Sequence, residues 1–247
     1  MSFELLARLQ QLETEVAYRS SPPDGTPPFV HHLGKRPVLI SAPHATCHSR
    51  NNSRKMEEEF TYSFAKHLAM STGCHAFLNR WETTEDPNWD SQSVYKNELA
   101  AVVQAHHIEF VIDLHGMTNR HNIGIAVGTI NGRSCPDHEL DLQQAFLRNQ
   151  FCAVAIDELE GIGERPGDKW RRLVMNHPRF TGGVKSHTVT RFVVDELQIP
   201  AAQVELTSAA RIPYRAPHDG WPFHYFGQAE AIHATTQALE AFISTFD

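Results

Sequence analysis

Histidines and acids recur in this chain at the ends of apolar runs. FVIDLHGM, residues 110–117, is the sharpest case: Phe110, Val111, Ile112 and Leu114 are core residues, yet Asp113 and His115 sit among them just before Gly116. Residues i and i+2 of a strand point to one face, so this acid and imidazole project together. His44 closes the run VLISAPH, Glu205 lies within AAQVELTSA, and the run Glu57, Glu58, Glu59 follows His44 across a short loop. Two imidazoles and a carboxylate suit zinc, which takes nitrogen and oxygen ligands at roughly 2 Å and keeps a fourth position open in a catalytic centre. The ion lowers the pKa of water toward about 7. Simpler readings stand beside these. Asp113 and His115 could cap a strand, and three consecutive glutamates could be a solvated first helical turn, where acids favour the dipole.

Elements that would position these residues follow from periodicity. Short apolar runs at RPVLISAPH, CHAFLNRW, FVIDLHG, NIGIAVGTI and AAQVELTSA read as strands. Helical spacing marks EEEFTYSFAKHLAMSTG, VYKNELAAVVQAHHI, DLQQAFLRNQFCAVAIDE, TVTRFVVDELQI and the closing AEAIHATTQALEAFISTF. SSPPDGTPPF, DPNWDSQS, GIGERPGDKW and HPRFTGGVKSH read as loops. Alternating strands and helices predict a mixed or parallel sheet covered by helices. In such sheets ligands bind beyond the C-terminal strand ends, where the polar residues collect.

With 247 residues, the chain is expected to form one catalytic domain: an N-terminal helix and Pro-rich loop over 1–30, and an α/β core over 31–247. A net charge of −7 argues against a nucleic-acid partner. No apolar run reaches the roughly 18 residues of a membrane span. The N-terminal MSFELLARLQQLETEV reads as an amphipathic helix rather than a signal peptide, so the expected location is cytoplasmic. Cys47, Cys74, Cys135 and Cys152 lack CxxC spacing and read as reduced thiols. The expected partner is a small-molecule substrate; oligomeric state is not legible.

The ordered elements SAPHATCHSRNNSRKMEEEFT, DPNWD…YKNEL, FVIDLHGM, FTGG and AAQVEL resemble the N-formylglutamate amidohydrolase family, over roughly Val38 to Arg211. That family is a branch of the zinc-dependent exopeptidase group that includes the carboxypeptidases. The resemblance implies a three-layer α/β/α fold with a mixed, mostly parallel sheet, hydrolase-like and of the zinc exopeptidase type. It also implies one zinc, Zn(2+), held by the His of APH, a Glu near the next helix and the His of DLHG. These map to His44, Glu58 and His115, with Glu59 as the alternative to Glu58; such a Glu lies three residues before the helix Thr, here Thr61. Glu205 resembles the general base. The loop ATCHSRNNSRKM is long and basic, and this departure bears on substrate more than on chemistry.

The implied reaction is metal-assisted hydrolysis of an N-acyl, N-formyl-type amino acid or a similar small carboxylate-bearing amide. A base at Glu205 takes the proton of water and passes it to the leaving amine; its alternative is a structural pairing with Arg211. Asp113 is expected to orient a metal-binding imidazole. Arg80 and Arg191 could clamp a substrate carboxylate bidentately, and Asn88 and Arg211 join them as substrate-binding candidates. Each has a plain reading too, as a structural arginine or, for Asp86, Asn88 and Asp90, a turn former. His48 and His187 read as surface imidazoles. Alternatives to the amidohydrolase are a zinc carboxypeptidase or amidase on short peptides, and a ligand-binding relative without turnover.

Overall fold

The computed structural model describes residues 2–159, 169–217 and 221–247. Its centre is an eight-stranded sheet built from β1 (Phe29–His32), β2 (Arg36–Ala42), β3 (Cys74–Asn79), β4 (Phe110–Met117), β5 (Ile125–Gly128), β6 (Cys152–Ala153), β7 (Arg172–Met175) and β8 (Ala201–Thr207). The spatial order is β1-β3-β2-β4-β8-β5-β7-β6. β3, β2, β4 and β8 run parallel. β1 adds antiparallel at one edge, and β5 pairs antiparallel with β8 before β7 and β6 continue parallel to it. The expected mixed, mostly parallel sheet is therefore present.

Both faces are covered. The main helices are α1 (Ser2–Glu13), α2 (Thr61–Thr72), α3 (Val94–Ala105), α4 (Glu139–Arg148), α5 (Val189–Glu196) and α6 (Ala229–Ile243). Strand alternation sorts the core into layers. Val38, Ile40, Phe110, Ile112, Leu114, Val204 and Leu206 pack with α1, α2, α4 and α6 residues such as Leu9, Phe64, Phe146 and Phe242. Leu39, Val111 and Ala201 face the other way, onto Tyr95, Leu99, Val103, Val189 and Val193 of α3 and α5. Burial of each such aliphatic side chain contributes roughly 1.5–3 kcal/mol. By the same period of two, Asp113 and His115 fall on the Val111 face, and Glu205 on the Ala201 face. Parallel register then sets Glu205 beside His115 and Gln203 beside Asp113.

Several elements depart from the expectations. The three glutamates do not begin a helix: α2 starts at Thr61, after Phe60 in a left-handed conformation (φ 67). The helix expected over DLQQAFLRNQFCAVAIDE stops at Arg148; Gln150 adopts φ 68, Cys152–Ala153 is a short strand, and a four-residue helix follows at Ile156–Leu159. β1 and β7 were not legible as strands, because each is a four-residue piece inside a segment read as loop or left unread. β1 begins at Phe29, two residues before the expected start of the core. Most of the loop expected at GIGERPGDKW, residues 161–168, lies outside the described residues. Among the described residues no helix is long and apolar enough to cross a membrane.

Candidate metal centre and its cavity

Three segments meet beyond the C-terminal ends of β2 and β4. The loop after β2 carries His44, and the Glu58 N–H donates to the His44 carbonyl at 2.8 Å, so the chain folds back on itself. Thr61 Oγ1 then donates to the Glu58 carbonyl at 2.8 Å, which fixes the turn into α2. Glu58 Oε1 lies 3.1 Å from His44 Nδ1, and Glu58 Oε2 lies 2.9 Å from both His115 Nδ1 and the Gly116 N–H. The two rings stand 4.8 Å apart, edge to face. Of the three glutamates only Glu58 points here. Glu57 pairs with Arg19 at 2.8 Å and accepts from the Cys47 thiol, and Glu59 pairs with Arg215.

The opposite ring nitrogens face carboxylates. His44 Nε2 meets Asp86 Oδ1 at 2.8 Å. His115 Nε2 lies 3.2 Å from Asp113 Oδ1 and 2.7 Å from Asn88 Nδ2. Asn88 is oriented from behind, because its Oδ1 takes the Val189 N–H at the start of α5 (2.8 Å). Asp113 Oδ2 receives long contacts from Thr190 N and Oγ1 at 3.4 and 3.3 Å. Asp113 Oδ1 is buried without a hydrogen bond. A buried acceptor without a partner is costly, and it is the group available to a proton on His115 Nε2.

Arg211 supports this corner from below. Its guanidinium donates to the carbonyls of Glu59 (2.8 Å), Met117 (3.0 Å) and Leu206 (2.7 Å). A Cβ on Gly116 would stand 2.6 Å from Arg211 Cζ. Glycine is therefore needed in DLHG so that the guanidinium can pass under the strand end.

Charge is concentrated here. Burial opposes protonation of His44, yet Glu58 and Asp86 raise its pKa to about 9. His115 is likewise disfavoured as a cation by burial but held well above its ordinary value by Asp113 and Glu58. Glu58 is pushed up by burial and pulled further down by the two imidazoles, so its carboxyl lies well below the usual range. Asp86 follows the same logic, with His44 and His48 overcoming its burial. Protons on the rings thus supply positive charge that a metal ion would supply in their place. His44, Glu58 and His115 each offer one ligand atom, all within 4.8 Å of one another.

A second triad, His44, His48 and Asp86, shares that first imidazole. Its carboxylate is already engaged by four groups: His44 Nε2, the Asn88 N–H (2.9 Å), Arg50 Nε (2.6 Å) and His48 Nε2 (3.3 Å). Glu58 instead opens onto a cavity of about 450 Å³ together with His44, His115 and Glu205. The donor set therefore fits a cation at Glu58, with Asp86 holding the far side of the ring.

Glu205 is 7% exposed, and among the described residues nothing hydrogen-bonds its carboxylate. Burial first, then Glu58 and Asp113, push its pKa up to about 7 against the lowering effect of His115 and His44. Gln203, two residues earlier, takes the Gly182 N–H at 3.1 Å. Gly182 adopts φ 77 and packs so closely on Gly128 that neither position has room for a Cβ. The Thr181–Gly183 turn is thereby docked on β5, with Thr181 and Gly183 lining the cavity.

The anticipated substrate arginines lie elsewhere. Arg80 is outside the cavity, donating from Nε to the Glu15 carbonyl (3.0 Å) and stacking 4.6 Å over Trp81. Arg191 pairs with Asp195 at 3.1 Å beside a separate depression. Arg211 spends its donors on backbone carbonyls as described. Asn88 does line the cavity. The cations that line it are Arg50 and Lys55 from the basic loop, and Arg179. Asp86 does form a turn, accepting the Asn88 N–H, and is also fully buried, whereas His48, read as a surface imidazole, is buried with its ring stacked 4.1 Å from His44. The signal that pointed to these residues was their place in loops following strands that already carried site residues. His187 is exposed, as expected. All four cysteines are free, and burial pushes the Cys47 thiol up to about 11, away from nucleophile range.

The fold and this cluster define an α/β/α protein with a candidate metal centre at its C-terminal sheet edge. A solved structure shares that fold, and others are similar to the chain at lower scores. The N-formylglutamate amidohydrolase from Ralstonia eutropha JMP134 superposes with a TM-score of 0.54 at 13% identity, covering 88% of this chain and 96% of that one. A bacteriophage poly-gamma-glutamate hydrolase gives 0.44 at 13% identity, covering 90% and 89%, and a metallo-carboxypeptidase from Burkholderia cenocepacia gives 0.45 at 15%, covering 92% and 59%. No family profile matches the chain, and no curated protein sequence matches it.

Proposed function

We propose that this protein is a zinc-dependent amidohydrolase acting on a small N-acyl amino acid that carries at least one carboxylate. The observation that supports it is the placement of Glu205, a buried acid with no hydrogen-bond partner among the described residues, in the same cavity as the His44, Glu58 and His115 donors. A zinc ion held by those three side chains would supply Lewis-acid polarisation of the scissile carbonyl and acidify water. Glu205 accepts the proton of the attacking water and delivers it to the leaving amine. In the metal-free cavity burial pushes its pKa up to about 7, which brings it toward the range of a group that both accepts and releases a proton near neutral pH. Asp86 and Asp113 hold the Nε2 sides of the imidazoles, which would leave the Nδ1 lone pairs for a cation beside Glu58.

Substrate preference follows from the rim. Arg50 uses Nε on Asp86 and lies 5.3 Å over Trp89, which leaves its terminal nitrogens for a carboxylate. Arg179 and Lys55 line the same cavity without an ion-pair partner among the described residues. Zinc-loaded protein offered N-formyl, N-acetyl and dipeptide amides, each with acidic and apolar amino acids, tests the reading. N-acyl acidic amino acids are expected to turn over fastest; no hydrolysis of any of these amides would remove the enzymatic reading.

A further inference from the structure

Three other imidazoles converge at a distance from this cavity, toward the N-terminal end of β3. His31 lies on β1, His75 is the second residue of β3, and His106 caps the C-terminus of α3. Antiparallel pairing sets His31 opposite Phe77, so His31 and His75 emerge on the same face as diagonal neighbours. The turn from α3 into β4 brings His106 over them. His31 Nε2 stands 3.1 Å from His75 Nδ1, and the ring centroids are 5.4 Å (His31–His75), 4.8 Å (His75–His106) and 5.1 Å (His31–His106) apart. One nitrogen from each ring lies within 4.8 Å of the others.

We infer that His31, His75 and His106 form a second metal site, selective for a borderline transition cation such as zinc, nickel or copper(II). Two nitrogens bound to one zinc at about 2.0–2.1 Å and a tetrahedral angle stand roughly 3.3 Å apart, close to the His31–His75 separation. All three donors are imidazole nitrogens, which suit these cations and not the hard oxygen-seeking magnesium or calcium. Burial, followed by the charge of neighbouring rings, keeps His75 down to about 4 and lowers His31, so protons compete weakly for the same nitrogens. His75 is buried while His31 and His106 are half-buried, so the fourth position opens to solvent. A hydrogen bond between two neutral rings explains the His31–His75 contact alone; it gives no role to the third ring. The site joins the edge strand β1, which pairs with β3, to the sheet and to the end of α3. Metal there fastens an edge strand whose ladder to the sheet is four residues long.

The test compares chelator-stripped wild type with His31→Ala and His106→Ala, both at half-exposed positions outside the catalytic cavity. Zinc is titrated calorimetrically, and thermal unfolding is followed with and without nickel. The site predicts one fewer equivalent of bound zinc in each variant than in wild type, and a nickel-induced rise in midpoint in wild type that each variant loses. Equal stoichiometry and equal nickel response in all three proteins would overturn it. The comparison is between proteins that share an intact Glu58 centre, so its outcome is independent of whether that centre hydrolyses amides.

Discussion

Replacing Glu205 by glutamine keeps the side chain's length and branching and removes only its capacity to take a proton. Among the described residues the carboxylate has no hydrogen bond to lose, and with a pKa of about 7 it is about half neutral at pH 7, so the strand should accept the amide. General acid–base groups contribute typically 10² to 10⁴ in rate, which corresponds to about 2.7–5.5 kcal/mol of barrier. We expect kcat to fall by at least about 10², with zinc content unchanged and KM little altered. The pH profile gives a second readout. The base form exists above the pKa, so wild-type activity should fall as pH drops below about 7, or at lower pH where the bound cation favours the carboxylate, and the variant's residual activity should lose that limb. The stability sign is opposite. Burial raises this pKa above its unfolded value, so the contribution of the protonated form is present at low pH and is lost as pH rises through about 7. Metal-free Glu205→Gln should therefore gain stability over metal-free wild type above neutral pH, in urea titrations. Steady-state turnover with metal analysis on the same samples decides the matter. Unchanged kcat refutes the base role, and zinc loss together with activity would make Glu205 a ligand.

Asp86→Asn should weaken zinc binding or activity by about 10- to 100-fold, the usual effect of losing the group that orients a metal-binding imidazole; competition with a chromophoric chelator measures it. Asp113→Asn should behave alike, and wild-type affinity there would reduce Asp113 to a strand cap. Gly116→Ala should cost about 1–3 kcal/mol of stability in urea unfolding, because its methyl meets the Arg211 guanidinium at 2.6 Å. Arg179→Ala should raise KM for a carboxylate-bearing substrate with kcat preserved, whereas Arg80→Ala should leave both unchanged.

The central strands were legible because their apolar runs are continuous and end in polar residues. The pairing of Asp113 with His115 on one face needed only the period of two. The short strands were not legible: Phe29–His32 and Arg172–Met175 have four residues each and gain their hydrogen bonds from neighbours far along the chain. Glu58 turns inward because the Glu58 N–H binds the His44 carbonyl, and no local spacing shows that bond. The buried role of Asp86 was hidden for a related reason. DPNWDSQS has the composition of a turn, and it is one; Glu85 ties it to α3 by accepting the Val94 and Tyr95 N–H groups at 2.8 Å, which carries Asp86 under His44. The partners of the arginines were not legible, because sequence shows a guanidinium but not what it meets. Arg80 and Arg211 are taken up by carbonyls, while the basic loop, whose departure was expected to bear on substrate, lines the cavity with Arg50 and Lys55.

Anomalous scattering from crystals of the protein soaked in zinc tests the central claim most directly. The account predicts a strong peak between His44 Nδ1, Glu58 and His115 Nδ1 in wild type, and its absence in His115→Ala crystals with the sheet intact. A wild-type crystal with no peak at that position, or with the ion seated instead between His48 and Asp86, would contradict it.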